Sequence, residues 1–271
     1  MQGRIGSVSF TVMTLAAAAR LVLERAAGLA ADGSSGTGGQ PGCAIHFANA
    51  YNVALARKDP AYASILERGD FVFSDGVPVT WVGRRAYPPL AADWERVYGP
   101  DVMQAVLSAS TVAGPSHYLL GGSPSTLASL CETIAARYPD ASVVGAESPA
   151  FRETTPDELT ERDGRIRRSG ATVVWVGLGT PKQDTEVMRL AGSLPVVALG
   201  VGAAFDFLAG TKPQAPGWMQ RGGLEWAFRL ASEPRRLGRR YLWGNTVFVA
   251  EAVRTLRSAR QQPSPIGASG G

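Results

Sequence analysis

Hydrophobic and polar positions fall into a repeating order: short apolar runs, each closed by small or polar residues, then longer stretches with apolar residues at helical spacing. The clearest unit lies between Thr172 and Phe207. Val173 to Val176 is a β-branched apolar run, and Gly177 to Pro181 is a turn with two glycines and a proline. Val187, Met188, Leu190 and Ala191 then recur at helical spacing, and Val196 to Val201 forms a second apolar run. A strand–turn–helix–strand unit with strands this uniformly apolar suits a parallel sheet covered on both faces.

The same order predicts strands at Cys43–Ala48, Phe71–Phe73, His117–Leu120 and Ser142–Gly145. It predicts helices at Thr14–Ala31, at Val53–Leu66 with a break near Asp59-Pro60, from Pro78, at Asp101–Ser108 with Asp101 as N-cap, at Ser125–Tyr138 and at Pro156–Arg168. The Ala-rich stretch Val8–Val22 reads as part of an N-terminal helix and not as a signal peptide, because Arg20, Glu24 and Arg25 follow it closely. Asp32–Gly42, rich in Gly and Ser, reads as a flexible loop, and Arg84–Glu95, with Pro88-Pro89, as a mobile one. The expected class is α/β, a doubly wound parallel sheet flanked by helices.

After Gly210 the pattern changes. Pro213 and Pro216 mark a boundary, and Trp218–Ser232 and Arg235–Leu256 read as helices interrupted by Pro234. The chain divides into a core over 1–212, a basic helical C-terminal appendage over 213–261, and a Pro/Gly/Ser-rich tail over 262–271 that reads as disordered. Charge sharpens this division. Net charge is only +4, yet from Arg221 onward there are nine Arg and three Glu, with no Lys or Asp. Trp218, Trp226, Phe228, Tyr241, Trp243 and Phe248 interleave with these arginines. Such an end suits phosphates, anionic lipid or nucleic acid, and no nucleic-acid motif accompanies it. No apolar run approaches the roughly 20 residues of a membrane span. Cys43 and Cys131 form no metal pattern and read as reduced thiols, and with only His46 and His117 a histidine zinc site is not expected.

Candidate chemistry sits at the ends of predicted strands, where α/β sheets bind ligands. Asp75 closes one strand in a turn before Gly76, and is placed to act as a general base if burial raises its pKa; an Asx-turn aspartate is the equal alternative. Gly177-Leu178-Gly179-Thr180-Pro181-Lys182-Gln183 resembles a phosphate-cradling turn, with Lys182 and Gln183 adding polar groups, but lacks the third glycine of a dinucleotide fingerprint. Gly202 and Asp206 close a further strand, with Asp206 a candidate for holding a sugar or ribose hydroxyl, and Gly121-Gly122 close a third. Three such ends favour a nucleotide pocket. No Asp-x-Asp occurs, so a leaving diphosphate would need arginines to offset its charge. Arg229, Arg236, Arg239 and Arg240 are spaced to share one side of a helix if Pro234 only kinks it; a solvated basic face and a membrane-facing surface are the other readings. A nicotinamide-dependent oxidoreductase on the same fold is the alternative function.

The blocks Asn49-Ala50, Ser74 to Val79, Glu95 to Asp101, Leu119 to Gly122, Val176 to Gln183, Gly200 to Phe207, Leu224 to Trp226, Glu233 to Arg236 and Arg239 to Tyr241 stand in one order over most of the chain. In this they resemble the WecB/TagA/CpsF family of bacterial glycosyltransferases, family 26. The resemblance implies a Rossmann-like core that needs no metal or other cofactor. It implies an inverting transfer from a UDP-sugar to a polyprenyl-diphosphate-linked sugar, in surface polysaccharide or teichoic acid assembly. It implies Asp75 as base with Arg96 and Gln183 in the active site, and Asn49, Gly121, Gly122, Gly179, Lys182, Gly202 and Asp206 around the substrate. Arg229, Arg236 and Arg239 would close over the acceptor diphosphate, and the appendage would hold the enzyme on the cytoplasmic face of the plasma membrane. A homo-oligomer is compatible with all of this, and nucleic acid is not an expected partner. Three departures bear on substrate identity: Phe47 in place of the family's usual Thr, Asp184 in place of Glu, and the Gly-rich segment Asp32–Gly42, which looks like an insertion.

Overall fold

The computed structural model describes residues 1–32 and 42–261, apart from the side chains at 236 and 239–241. The expectations of a flexible loop over most of 32–42 and of a disordered tail at 262–271 therefore lie outside the described residues. The chain opens with a hairpin, β1 (Gln2–Ile5) and β2 (Val8–Thr11), then α1 (Leu15–Asp32), β3 (Cys43–Ala48), α2 (Ala50–Lys58), α3 (Pro60–Arg68), β4 (Phe71–Ser74) and α4 (Val77–Ala86). After a 3₁₀ turn at Pro88–Leu90 come α5 (Gly99–Ala109), β5 (Ser116–Gly121), α6 (Pro124–Arg137), β6 (Ser142–Glu147) and α7 (Pro156–Ser169). Then follow β7 (Val173–Gly177), α8 (Lys182–Ser193), β8 (Val197–Gly200), α9 (Ala204–Leu208), α10 (Gly217–Arg221), α11 (Glu225–Ser232) and α12 (Pro234–Gln261).

Strands β3 to β8 form one parallel sheet in the order β4-β3-β8-β7-β5-β6. Its class is the expected α/β, a parallel sheet flanked by helices. The central strands read as continuous apolar runs because both faces are covered: Val173, Val174, Trp175, Val176, Val197, Ala198 and Leu199 are all fully buried. Each large side chain so buried contributes on the order of 2 kcal/mol. All the strands end on one edge, which brings Asn49, Asp75, Gly177 and Gly200 together. Gly121 has a packing reason to be glycine. Its φ is +127°, and a Cβ there would lie 2.5 Å from the Gly177 carbonyl of the paired strand.

Several local expectations are corrected. Val8–Thr11 is a strand and not the start of a helix; its alternating burial places Val8 and Phe10 inside, and the helix waits until Leu15. The segment before Arg96 is anchored: Trp94 is buried against Tyr87, and its carbonyl accepts from Arg84 Nε at 2.7 Å. Asp101 lies inside the first turn of α5, not at its cap, because the helix starts two residues earlier at Gly99, with Pro100 in its first turn. Trp218–Ser232 is two helices, parted at Gly222-Gly223, with Gly223 at φ +72°. Asp59 divides α2 from α3 as expected, capping α3 through Ala61 and Tyr62 N–H.

The C-terminal segment does not pack as a separate unit. Phe248 and Ala252 of α12 are buried in one cluster with Ile5, Val8, Phe10, Val53 and Val79. The division at residue 212 is thus one of composition, and packing runs across it.

Candidate active site

Two cavities meet at the carboxyl edge of the sheet. The first, about 440 Å³, is walled by the ends of β7 and β8: Gly177 to Thr180, Gly200 to Ala203 and Gln183, with Asp206, Lys212 and Glu233 at its other side. The second, about 320 Å³, is walled by Tyr51, Val77, Pro78, Trp226, Leu237, Phe248 and Val249, and so is largely apolar. Asn49, Asp75, Tyr98 and Arg229 line both.

Asp75 follows β4 directly, and its backbone is pinned by Ala48 O and by Arg96 Nε, which donates to the Asp75 carbonyl at 3.1 Å. Its Oδ1 accepts the Gly99 N–H at the start of α5 (3.0 Å), and its Oδ2 accepts from Asn49 Nδ2 (3.4 Å). An N–H that the helix leaves unpaired thus falls to the carboxylate. Burial pushes the Asp75 carboxyl above its ordinary range, and nearby Glu225 adds to this. The Gly99 N–H, Arg96 and Asn49 pull the other way and do not cancel it. A half-buried, oriented carboxylate with a raised pKa, open to two cavities, is chemically equipped to accept a proton.

Arg96 is committed to the appendage. Its Nη2 meets Glu225 Oε2 at 2.6 Å, its guanidinium stacks on the Tyr98 ring at 3.8 Å, and Tyr98 Oη donates to Glu225 Oε1 at 2.7 Å. Burial, then Glu225, keeps Tyr98 a protonated phenol and therefore a donor. Glu225 thereby fastens α11 over Asp75. Gln183 is likewise engaged: its Oε1 accepts from Gly179 N (3.1 Å) and its Nε2 donates to Gly200 O (2.9 Å), tying the β7 and β8 ends together. Asp206 pairs with Lys212 Nζ at 3.1 Å, and the same ammonium reaches Glu233 at 3.5 Å.

Of the residues singled out in the sequence, Asn49, Asp75, Gly179, Gln183, Gly202, Asp206 and Arg229 gather at the first cavity, and Arg96 at the second. Gly121, Gly122 and Lys182 are not among the lining residues. Gly121 packs on Gly177, Gly122 lies beside Thr126 and Phe205, and the exposed Lys182 stands 5.4 Å over the Phe151 ring. Arg229 approaches Phe207 at 5.9 Å. The side chains of Arg236, Arg239 and Arg240 lie outside the described residues. Arg229 and these arginines do not share one helix, because Glu233 leaves helical geometry and ends α11 before Pro234 begins α12.

Tyr98, Lys212 and Glu225 were not picked out as site residues. Tyr98 and Glu225 lie inside motif blocks already noted, and Lys212 is the last lysine in the chain, six residues after Asp206. Phe47 lines the first cavity, packed on Phe73. The β7 turn lacks the third glycine of a dinucleotide fingerprint, and its Gly179 N–H is held by Gln183. Residues 4–262 match the family described as Glycosyl transferase WecG/TagA/CpsF family; the chain belongs to that family and is a glycosyltransferase.

Proposed function

We propose that the protein transfers a sugar from a UDP-sugar to a polyprenyl-diphosphate-linked acceptor, in the assembly of a surface polysaccharide or teichoic acid. The observation that carries this reading is that one carboxylate, Asp75, lines both cavities. In this account the polar first cavity holds the donor, with glycine-rich strand ends against the nucleotide and Asp206 near a hydroxyl. The apolar second cavity takes the acceptor. Asp75 removes the acceptor hydroxyl's proton as that oxygen attacks the anomeric carbon from the side opposite the diphosphate, so configuration inverts. The bond to the leaving UDP breaks as the new glycosidic bond forms, and the proton remains on Asp75.

The leaving diphosphate needs positive charge beside it. With no Asp-x-Asp in the chain, that role falls to Arg229 and Lys212 in the first cavity. Arg96 and Gln183 act through position, the first by fastening α11 and the second by bracing two strand ends. The basic, aromatic C-terminal segment docks on the cytoplasmic membrane face, where the lipid-linked acceptor resides. Among the described residues no helix is long and apolar enough to cross a membrane.

The test is a panel of UDP-sugars with short-chain polyprenyl-diphosphate acceptors, read by product mass, with and without EDTA. One pair should give a glycosylated lipid and UDP, at a rate that EDTA leaves unchanged. Turnover only with other nucleotide sugars, or only with soluble acceptors, would refute the reading.

A further inference from the structure

Behind Asn49 lies a run of buried polar side chains that none of the chemistry above uses. Asp184 of α8 is fully buried and accepts twice: from His46 Nδ1 at 3.1 Å and from Tyr62 Oη at 3.1 Å. Tyr62 has one proton and gives it to Asp184, so its oxygen must accept, and Asn52 Nδ2 donates to it at 2.7 Å. That fixes which way the Asn52 amide points. Its nitrogen faces Tyr62 and the cavity residue Thr180 (3.4 Å), and its oxygen faces the Asn49 N–H (3.1 Å). Asn49, held by this contact as the cap of α2, turns its own Oδ1 to Tyr51 N at 2.9 Å, which leaves Nδ2 for Asp75.

We propose that Asp184, Tyr62 and Asn52 are positioning residues for the transfer reaction: the Asp184 carboxylate at one end and the backbone N–H groups of Asn49 and Tyr51 at the other impose the same direction on the run, which holds Asn49 Nδ2 toward the Asp75 carboxylate. The four groups come from α8, α3, α2 and the end of β3, and so tie three helices to the geometry of the base. Burial and Asp184 hold Tyr62 protonated, which keeps it a donor. An apolar core would pack these helices as well; a directed polar run is what a fixed amide orientation requires. This inference rests on Asp75 being the base.

Asp184→Asn is nearly isosteric but can donate to Tyr62, which sets that end of the run against the direction imposed by the Asn49 N–H at the other and loosens it. Asp184→Glu keeps an acceptor, and Tyr62→Phe removes the link. Arg96, Tyr98, Glu225 and Arg229 around Asp75, and Asp206, Lys212 and Glu233 in the first cavity, stay in place in all three. The Asp75 carboxyl can be titrated without substrate by infrared difference between each protein and its Asp75→Asn counterpart. Losing a donor to the charged form raises a carboxyl pKa. In folded Asp184→Asn and Tyr62→Phe the midpoint should rise by about half a unit to one unit, and in Asp184→Glu it should stay at the parent value. With the substrate pair from the panel, kcat should fall roughly tenfold in the first two variants while donor KM moves less than about twofold. A midpoint and kcat unchanged in the two folded variants would overturn the inference. Full transfer by Asp75→Asn would instead sink the base assignment and leave the titration result standing.

Discussion

Asp75 is held where its charge is expensive. Burial raises its carboxyl pKa, so the folded protein binds that proton more tightly than the unfolded chain does. The charged form therefore costs stability above the ordinary carboxylate range and through the raised folded value, and nothing once both states are protonated. Asp75→Asn should melt higher than the parent at pH 7, and the difference should vanish near about pH 3; calorimetry across that range checks it. A destabilising base is what a site built for proton transfer would show. The sequence singles the residue out as a carboxylate between a strand end and a glycine, a place that an Asx-turn aspartate would fill equally well. Its partners were less legible. Glu225 lies 150 residues away, and only the fold brings it to Arg96 at 2.6 Å. Lys182 was read beside the glycine-rich turn, yet its helix points it outward, a direction that sequence adjacency does not carry.

At the scale of elements, the sheet was readable because its strands are buried on both faces and so carry unbroken apolar runs. Cys43–Ala48 is β3 with the expected bounds. The hairpin β1–β2 was missed because alternation over four residues is a weak signal beside an Ala-rich helix. For the C-terminal segment, helical spacing shows that a face is apolar, not what covers it. In α12, Phe248 joins the core cluster and Leu242 is 77% exposed. Phe248→Ala should cost about 3 kcal/mol in urea unfolding, and Leu242→Ala within about 0.5 kcal/mol. A cut at Pro216 would thus remove part of the core along with any membrane surface, so point changes are the cleaner probe.

In the whole molecule, two cavities share one carboxylate, and apolar side chains stand exposed on the C-terminal segment. Trp218 of α10 (62% exposed) and Leu242 and Val249 of α12 are exposed on a segment rich in arginine, Val249 also lining the second cavity. Aromatic and aliphatic side chains with basic neighbours suit an anionic bilayer surface. The triple change Trp218→Ser, Leu242→Ser, Val249→Ser should weaken co-sedimentation with phosphatidylglycerol vesicles by about tenfold while leaving the melting temperature near the parent's; undiminished binding would remove the membrane role of these side chains. What the sequence offered at this scale was the order of motifs, which carried the family. Which motif residues face a cavity and which only support it depended on the hydrogen bonds of Gln183, Arg96 and Gly121. The central claim is that Asp75 takes the acceptor's proton between the two cavities. Its most direct test is single-turnover transfer by Asp75→Asn with UDP affinity measured alongside by calorimetry. The account predicts a loss of about 10³-fold in the transfer step with UDP binding unchanged, and parental transfer rates in that variant would contradict it.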